Sequence, residues 1–189
     1  MNASEDGPAT AEGPAAAGGP EEILHQLHGE HVRLAAAARA VAQITRAATL
    51  DRPALEQLDV EMRALRDVLP SHVLKEMTIL FPEVEAACPW ARETIAEIRR
   101  RHTRLDARFR DLQAHALSLL LGDETPRARR HARRAALSLQ QEFDGLAALE
   151  DGAVVAPMIR GLPPEATARV LRLFEAADGR GRMKQMARY

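Results

Sequence analysis

Leu55, Leu58, Met62, Leu65, Leu69, His72, Glu76 and Ile79 recur at steps of three and four, the spacing that lines up side chains on one helix face. The face is apolar until His72 and Glu76 interrupt it, one turn apart. A second stripe of Leu24, Leu27, His31, Leu34, Ala38, Val41 and Thr45 is broken by His31. A third, Ile95, Ile98, His102, Leu105, Phe109, Leu112, Ala116 and Leu119, is broken by His102. The fourth carries Ala132, Ala136, Leu139, Phe143 and Leu146.

These stripes predict four helices. The first runs from Glu21 to the Asp51-Arg52-Pro53 turn signal. The second starts at about Pro53, since proline suits a first turn, and reaches Pro82. Pro70 lies inside it and deprives the Arg66 carbonyl of its donor, which predicts a kink just before His72. The third ends at Gly122, and the fourth begins near Thr125-Pro126 and fades near Gly152. Pro163-Pro164-Glu165 then opens a short amphipathic helix through about Ala177, followed by a basic tail from Gly179. Residues 1–20 are Ala, Gly, Pro and acidic residues without periodicity, the signature of disorder. The expected organisation is a disordered segment over 1–20, an all-α up-down-up-down four-helix bundle over 21–157, and a C-terminal helix with a basic tail over 158–189.

Composition agrees with a helical reading. Of 189 residues 46% are hydrophobic but only 3% aromatic, and Leu and Ala carry most of the apolar surface, which favours helix over strand. A formal net charge of -1 supplies no bulk attraction to nucleic acid or an anionic membrane, so neither is expected as a partner. Cys88 is the single cysteine, which excludes an intrachain disulfide and a thiolate-rich metal site. No basic and apolar leader is visible at the N-terminus, and no apolar run is long enough to span a bilayer. A cytoplasmic location is expected.

In a bundle with alternating helix directions the start of the first helix, the end of the second and the start of the third lie at one end. His31, His72, Glu76 and His102 then fall at roughly one level. Burying imidazoles and a carboxylate without compensation costs on the order of several kcal/mol. A shared cation removes that cost, whereas a buried His-Glu hydrogen bond is the plainer alternative for the His72/Glu76 pair.

This arrangement resembles the hemerythrin-like HHE cation-binding family. His31, in the run His-Gly-Glu-His-Val-Arg-Leu over 28–34, matches the first family histidine. The run His72-Val-Leu-Lys-Glu76, followed by Ile79-Leu80-Phe81-Pro82, matches the second helix, and His102 matches the third-helix histidine. The resemblance covers about residues 21–157 and implies a non-heme di-iron centre in which helix four supplies a further His-x-x-x-Glu pair. Here helix four departs from the pattern. If the core stripe sets the register, Leu146 takes the histidine position and Glu150 the carboxylate; counting back from Pro157 gives Ala147 and Asp151 instead. Both registers keep an acid and lose the histidine. Asp106, one turn after His102, and His28, one turn before His31, are candidate substitutes.

The implied cofactor is non-heme iron, one or two ions, with manganese or zinc also suited to nitrogen and carboxylate donors. The implied function is binding or sensing of dioxygen, nitric oxide or peroxide, or iron handling. A metal-free bundle acting as an interaction module and a peroxide-consuming iron enzyme are the alternatives. Outside the constellation, Cys88 reads as a small buried hydrophobe, His25, His115 and His131 read as surface residues, and the runs Arg99-Arg100-Arg101 and Arg127 to Arg134 as solvated faces balanced by acids.

Overall fold

The computed structural model describes residues 18–47, 50–123, 125–152 and 155–186, with side chains as far as Gly179. The segment 1–17 and the side chains of the basic tail lie outside the described residues. All regular structure among the described residues is helical, and no strand occurs. No described helix is long and apolar enough to cross a membrane.

Helix α1, Pro20–Ile44, starts with proline at its first position and places Glu21 and Glu22 in the first turn, where the helix dipole favours acids. Helix α2, Arg52–Leu74, is capped by Asp51, whose Oδ1 accepts from the Ala54 amide at 3.0 Å. Pro70 is carried inside α2, and the departure from α geometry falls later than expected, in a π-helical turn over Lys75–Leu80. The chain continues as α3, Phe81–Ala87, so helical backbone runs past Pro82. A π turn takes in one extra residue, and the consequence here is that the neighbours Lys75 and Glu76 are both buried.

A turn of 3-10 helix over Pro89–Ala91 leads into α4, Arg92–Leu120, which stops at Gly122 with φ of 94°, the left-handed region that favours glycine. Helix α5, Pro126–Glu150, is capped by Thr125, whose hydroxyl accepts from the Ala128 amide. Helix α6 is Val155–Arg160 and α7 is Pro164–Met186. The last helix is longer than the short one expected through Ala177, because the backbone stays helical through Gly179 and Gly181, residues that weaken a helix without forbidding it.

Helix α1 packs on α2 and α5, and α4 packs on α5 and α2. The shared interior is aliphatic, with Leu34, Leu58, Leu65, Ile95, Leu105 and Leu119 all buried. Helix α6 lies against α1 and α5, while α7 lies across α1, α2 and the π turn. It buries Val170, Leu171 and Phe174 there, each worth about 1.5–3 kcal/mol of transfer from water. Its docking is therefore hydrophobic in origin.

Candidate metal centre

The centre forms where the first half of α1, the end of α2 with its π turn, the first half of α4 and the end of α5 converge. Each helix buries its polar residue because that residue occupies a stripe position flanked by core side chains: His31 lies between Leu27 and Leu34, and His102 between Ile98 and Leu105. His31, His72, Glu76, His102 and Glu150 are all buried. The rings of His31 and His72 meet edge to face at 4.8 Å between centroids, and those of His72 and His102 lie 6.0 Å apart.

Two carboxylates thread between the three imidazoles. Glu150 Oε2 is 3.0 Å from His31 Nε2, and its Oε1 is 3.0 Å from His102 Nε2. Glu76 Oε2 accepts a hydrogen bond from His102 Nε2 at 2.6 Å and lies 3.6 Å from His72 Nε2, while its Oε1 is 3.9 Å from His31 Nε2. Of these approaches only the one between His102 and Glu76 has hydrogen-bond alignment. His31 Nε2, His72 Nε2 and both Glu150 oxygens are buried with no aligned hydrogen-bond partner among the described residues. Native interiors rarely tolerate such orphaned groups. His31, His72, Glu76 and Glu150 each bring one donor atom within 4.8 Å of the others, as ligands of one ion do. His102 joins the set through the two carboxylates.

Charge in this cluster is self-balancing. Burial alone lowers the pKa of His31, but the Glu150 carboxylate 3.0 Å away, with help from Glu76 and Asp151, outweighs it and raises the pKa to about 9. His102 follows the same logic: burial opposes, the Glu150 and Glu76 carboxylates prevail, and its pKa also rises to about 9. For Glu150 burial pushes upward, and the two histidines pull the carboxyl down to about 2. Without an ion, protons on His31 and His102 neutralise the buried acids. A divalent cation supplies the same compensation.

Behind the imidazoles lies a second tier of polar residues. His72 Nδ1 donates to Glu30 Oε2 at 3.0 Å, and Glu30 Oε1 accepts from Lys75 Nζ at 2.6 Å. Burial would raise the Glu30 pKa, yet these bonds from His72 and Lys75 hold it below the usual carboxylate range. Lys75 also pairs with Asp178 of α7 at 2.6 Å. His31 Nδ1 donates to Asp151 Oδ1 at 2.9 Å, and the other oxygen of Asp151 is 3.5 Å from His28. Carboxylates on the outer nitrogens of His31 and His72 fix which nitrogen of those two rings faces inward, the usual support of metal-binding histidines, while His102 Nδ1 is buried with no aligned partner among the described residues.

Four of the expected residues, His31, His72, Glu76 and His102, thus meet at one place, and helix four resolves its two registers by using both acids. Glu150 faces the interior beside Leu146, which is fully buried, while Asp151 sits outside and holds the far side of His31. Asp106 is corrected: it is exposed and paired with Arg110, since position 106 falls off the buried stripe of α4. His28 is largely exposed and reaches only Asp151, at the rim. Glu30 and Lys75 were not anticipated, although both stand at stripe spacing, three residues after Leu27 and His72.

An opening of about 570 Å³ lined by Leu24, His25, His28 and Val155 among others reaches His31, Glu76 and Glu150. Cys88 is buried, with its thiol near the Met158 carbonyl, as a small core residue would be. Of the other histidines His25 and His131 are exposed, but His115 is half-buried against the His131 ring and Asp111. Arg99, Arg100 and Arg101 are balanced by Glu85 and Glu97.

Comparison with protein-family models gives a match to the hemerythrin HHE cation-binding domain over residues 20–119. Searches of curated proteins and of solved structures gave no significant match. The matched residues hold His31, His72, Glu76 and His102 and end before α5, so the part played by Glu150 stands on the geometry of this chain alone. With more than half of its length matched and those four residues gathered at one buried site, the chain belongs to the hemerythrin HHE cation-binding domain family.

Proposed function

We propose that this chain is a non-heme iron protein in which His31, His72, Glu76, His102 and Glu150 are the metal ligands. The supporting architecture is an up-down-up-down bundle of α1, α2, α4 and α5, a reading favoured by the meeting of the ends of α2 and α5 with the first halves of α1 and α4 at the site. The observation that carries the proposal is the set of buried nitrogens and oxygens that approach within 3.0 to 3.9 Å without aligned hydrogen bonds. Donors that only satisfied one another would aim their N–H bonds at the acceptors. Nitrogen and carboxylate oxygen together suit iron, with manganese close behind.

Bound iron supplies redox chemistry and open positions for a small ligand, and dioxygen, nitric oxide or peroxide are the ligands that fit this role. The chain itself contributes the opening beside His28 and Asp151, apolar walls from Leu24 and Val155, and fixed imidazole orientations. A cytoplasmic setting, which keeps Cys88 a thiol, accords with this function.

Both Glu76 and Glu150 face His31 with one oxygen and His102 with the other. This supports two unequal metal positions, one rich in nitrogen near His31 and His72, and one near His102 that lacks the imidazole Leu146 displaces. Removal of the metal tests the proposal. A ligand that binds only the folded state adds RT ln(1 + [L]/Kd), about 2.7 kcal/mol at a hundredfold excess over Kd. Chelation is expected to lower the melting temperature while helical circular dichroism persists at low temperature. An unchanged melt on proven loss of metal would mean that the ion sits outside this centre.

A further inference from the structure

We infer that Glu30 and Lys75 are positioning residues that link the seating of α7 to occupancy of the metal centre, so that the C-terminal helix responds to metal loading. This rests on the proposed metal site and adds a regulated element to it. Lys75 is 1% exposed, as deeply buried as Glu76 beside it. A lysine in that position needs compensation, and it has three sources: Glu30 from α1, Asp178 from α7, and the Phe174 ring of α7 at 5.4 Å. Two of the three belong to α7.

Glu30 is the hinge of the chain of contacts. One of its oxygens accepts from Lys75 and the other from His72, whose opposite nitrogen faces the metal ligands. A cation on that nitrogen withdraws electron density from the ring and makes Nδ1–H a better donor, which anchors Glu30. An anchored Glu30 keeps the Lys75 ammonium where Asp178 and Phe174 of α7 meet it. In the other direction, lifting α7 leaves Lys75 with Glu30 alone, admits water to the pair, and loosens the carboxylate that orients His72. Metal and docked helix therefore favour one arrangement of Glu30, and such linkage is reciprocal.

Asp178 decides the matter because it touches none of the proposed ligands, so any effect of it on metal affinity travels through Lys75. The full-length protein, stripped and then loaded with Mn(II), gives two readouts: affinity by chelator competition, and hydrogen exchange of the amides over 164–179. Mn(II) is expected to slow exchange in α7, and Asp178→Asn to weaken Mn(II) binding by about fivefold or more. Lys75→Met keeps an apolar stem and removes the link. In it Mn(II) should no longer protect α7, and adding Asp178→Asn should have no further effect on affinity, which preserves the test if either single variant folds poorly. Wild-type affinity in Asp178→Asn, or α7 exchange indifferent to Mn(II), overturns the link and leaves the metal site standing. Failure of the wild-type protein to bind either Mn(II) or Fe(II) overturns the site and the link with it.

Discussion

His72→Leu is expected to empty the centre of metal while leaving the metal-free protein folded and close to wild type in stability. His72 is wholly buried on an apolar stripe, where leucine is the residue that packing asks for, and buried polar groups are often worth less than apolar replacements. Glu30 loses the 3.0 Å bond from His72 but keeps Lys75, and Glu76 keeps the 2.6 Å bond from His102, so the gain in apolar packing has one lost bond to offset. Metal affinity should fall by more than the 10–100-fold typical of an outer-tier partner.

If His72 instead served only to satisfy Glu76, the same substitution would leave a buried carboxylate short of a donor, at a cost of about 1–3 kcal/mol. Adding Glu76→Gln would then restore stability. In the ligand account the added change weakens the contact with His102 and lowers stability further. Denaturant unfolding of the single and double variants in metal-free buffer separates the two orderings. Wild-type iron content in His72→Leu would remove His72 from the ligand set.

The second large effect is on pH. The folded pKa of about 9 for His31 and His102 lies above the ordinary value of 6.5, so their protonation stabilises the metal-free fold fully below about pH 6.5. That stabilisation disappears as pH rises through 9. Its upper size is on the order of 3 kcal/mol per imidazole, and the two share Glu150, so the contributions do not add. On the acid side Glu150, depressed to about 2, contributes stability above its ordinary 4.5 that is lost as pH falls through 2.

Metal reverses the alkaline trend, because a cation must displace the protons that take its place. Mn(II) binding is expected to strengthen from pH 6.5 to 9 and to release about two protons, one from each imidazole. Denaturation of stripped protein at pH 6 and 9, with proton release on loading in weak buffer, measures both arms. Equal stability at the two values would show that the imidazoles titrate in the fold as they do in the unfolded chain, and that the carboxylates do not hold their protons.

What could be read from the sequence is explained by periodicity. His31, His72, Glu76 and His102 stood out because each replaces carbon on a regular stripe, and the fold brings them together as buried residues of one cluster. The fourth helix was harder, since Glu150 and Asp151 are adjacent and each contacts a different nitrogen of His31. A register argument admits one inward position, whereas the structure uses two acids for two tasks.

Lys75 stayed hidden because the stripe of His72, Glu76 and Ile79 is already complete without it, and the π turn in which both Lys75 and Glu76 are buried has no strong sequence mark. Asp178 was out of reach for a different reason. Its contact with Lys75 is made by tertiary docking of α7 across more than one hundred residues of chain, and Gly179 read as a helix end.

Iron content tests the central claim most directly. Untagged protein loaded anaerobically with Fe(II), passed through a desalting column and assayed for metal is expected to keep about one iron per chain tightly and a second in substoichiometric amount. Two irons retained equally would mean that another group makes up for Leu146. No retained iron, with no competing metal in its place, would contradict the account.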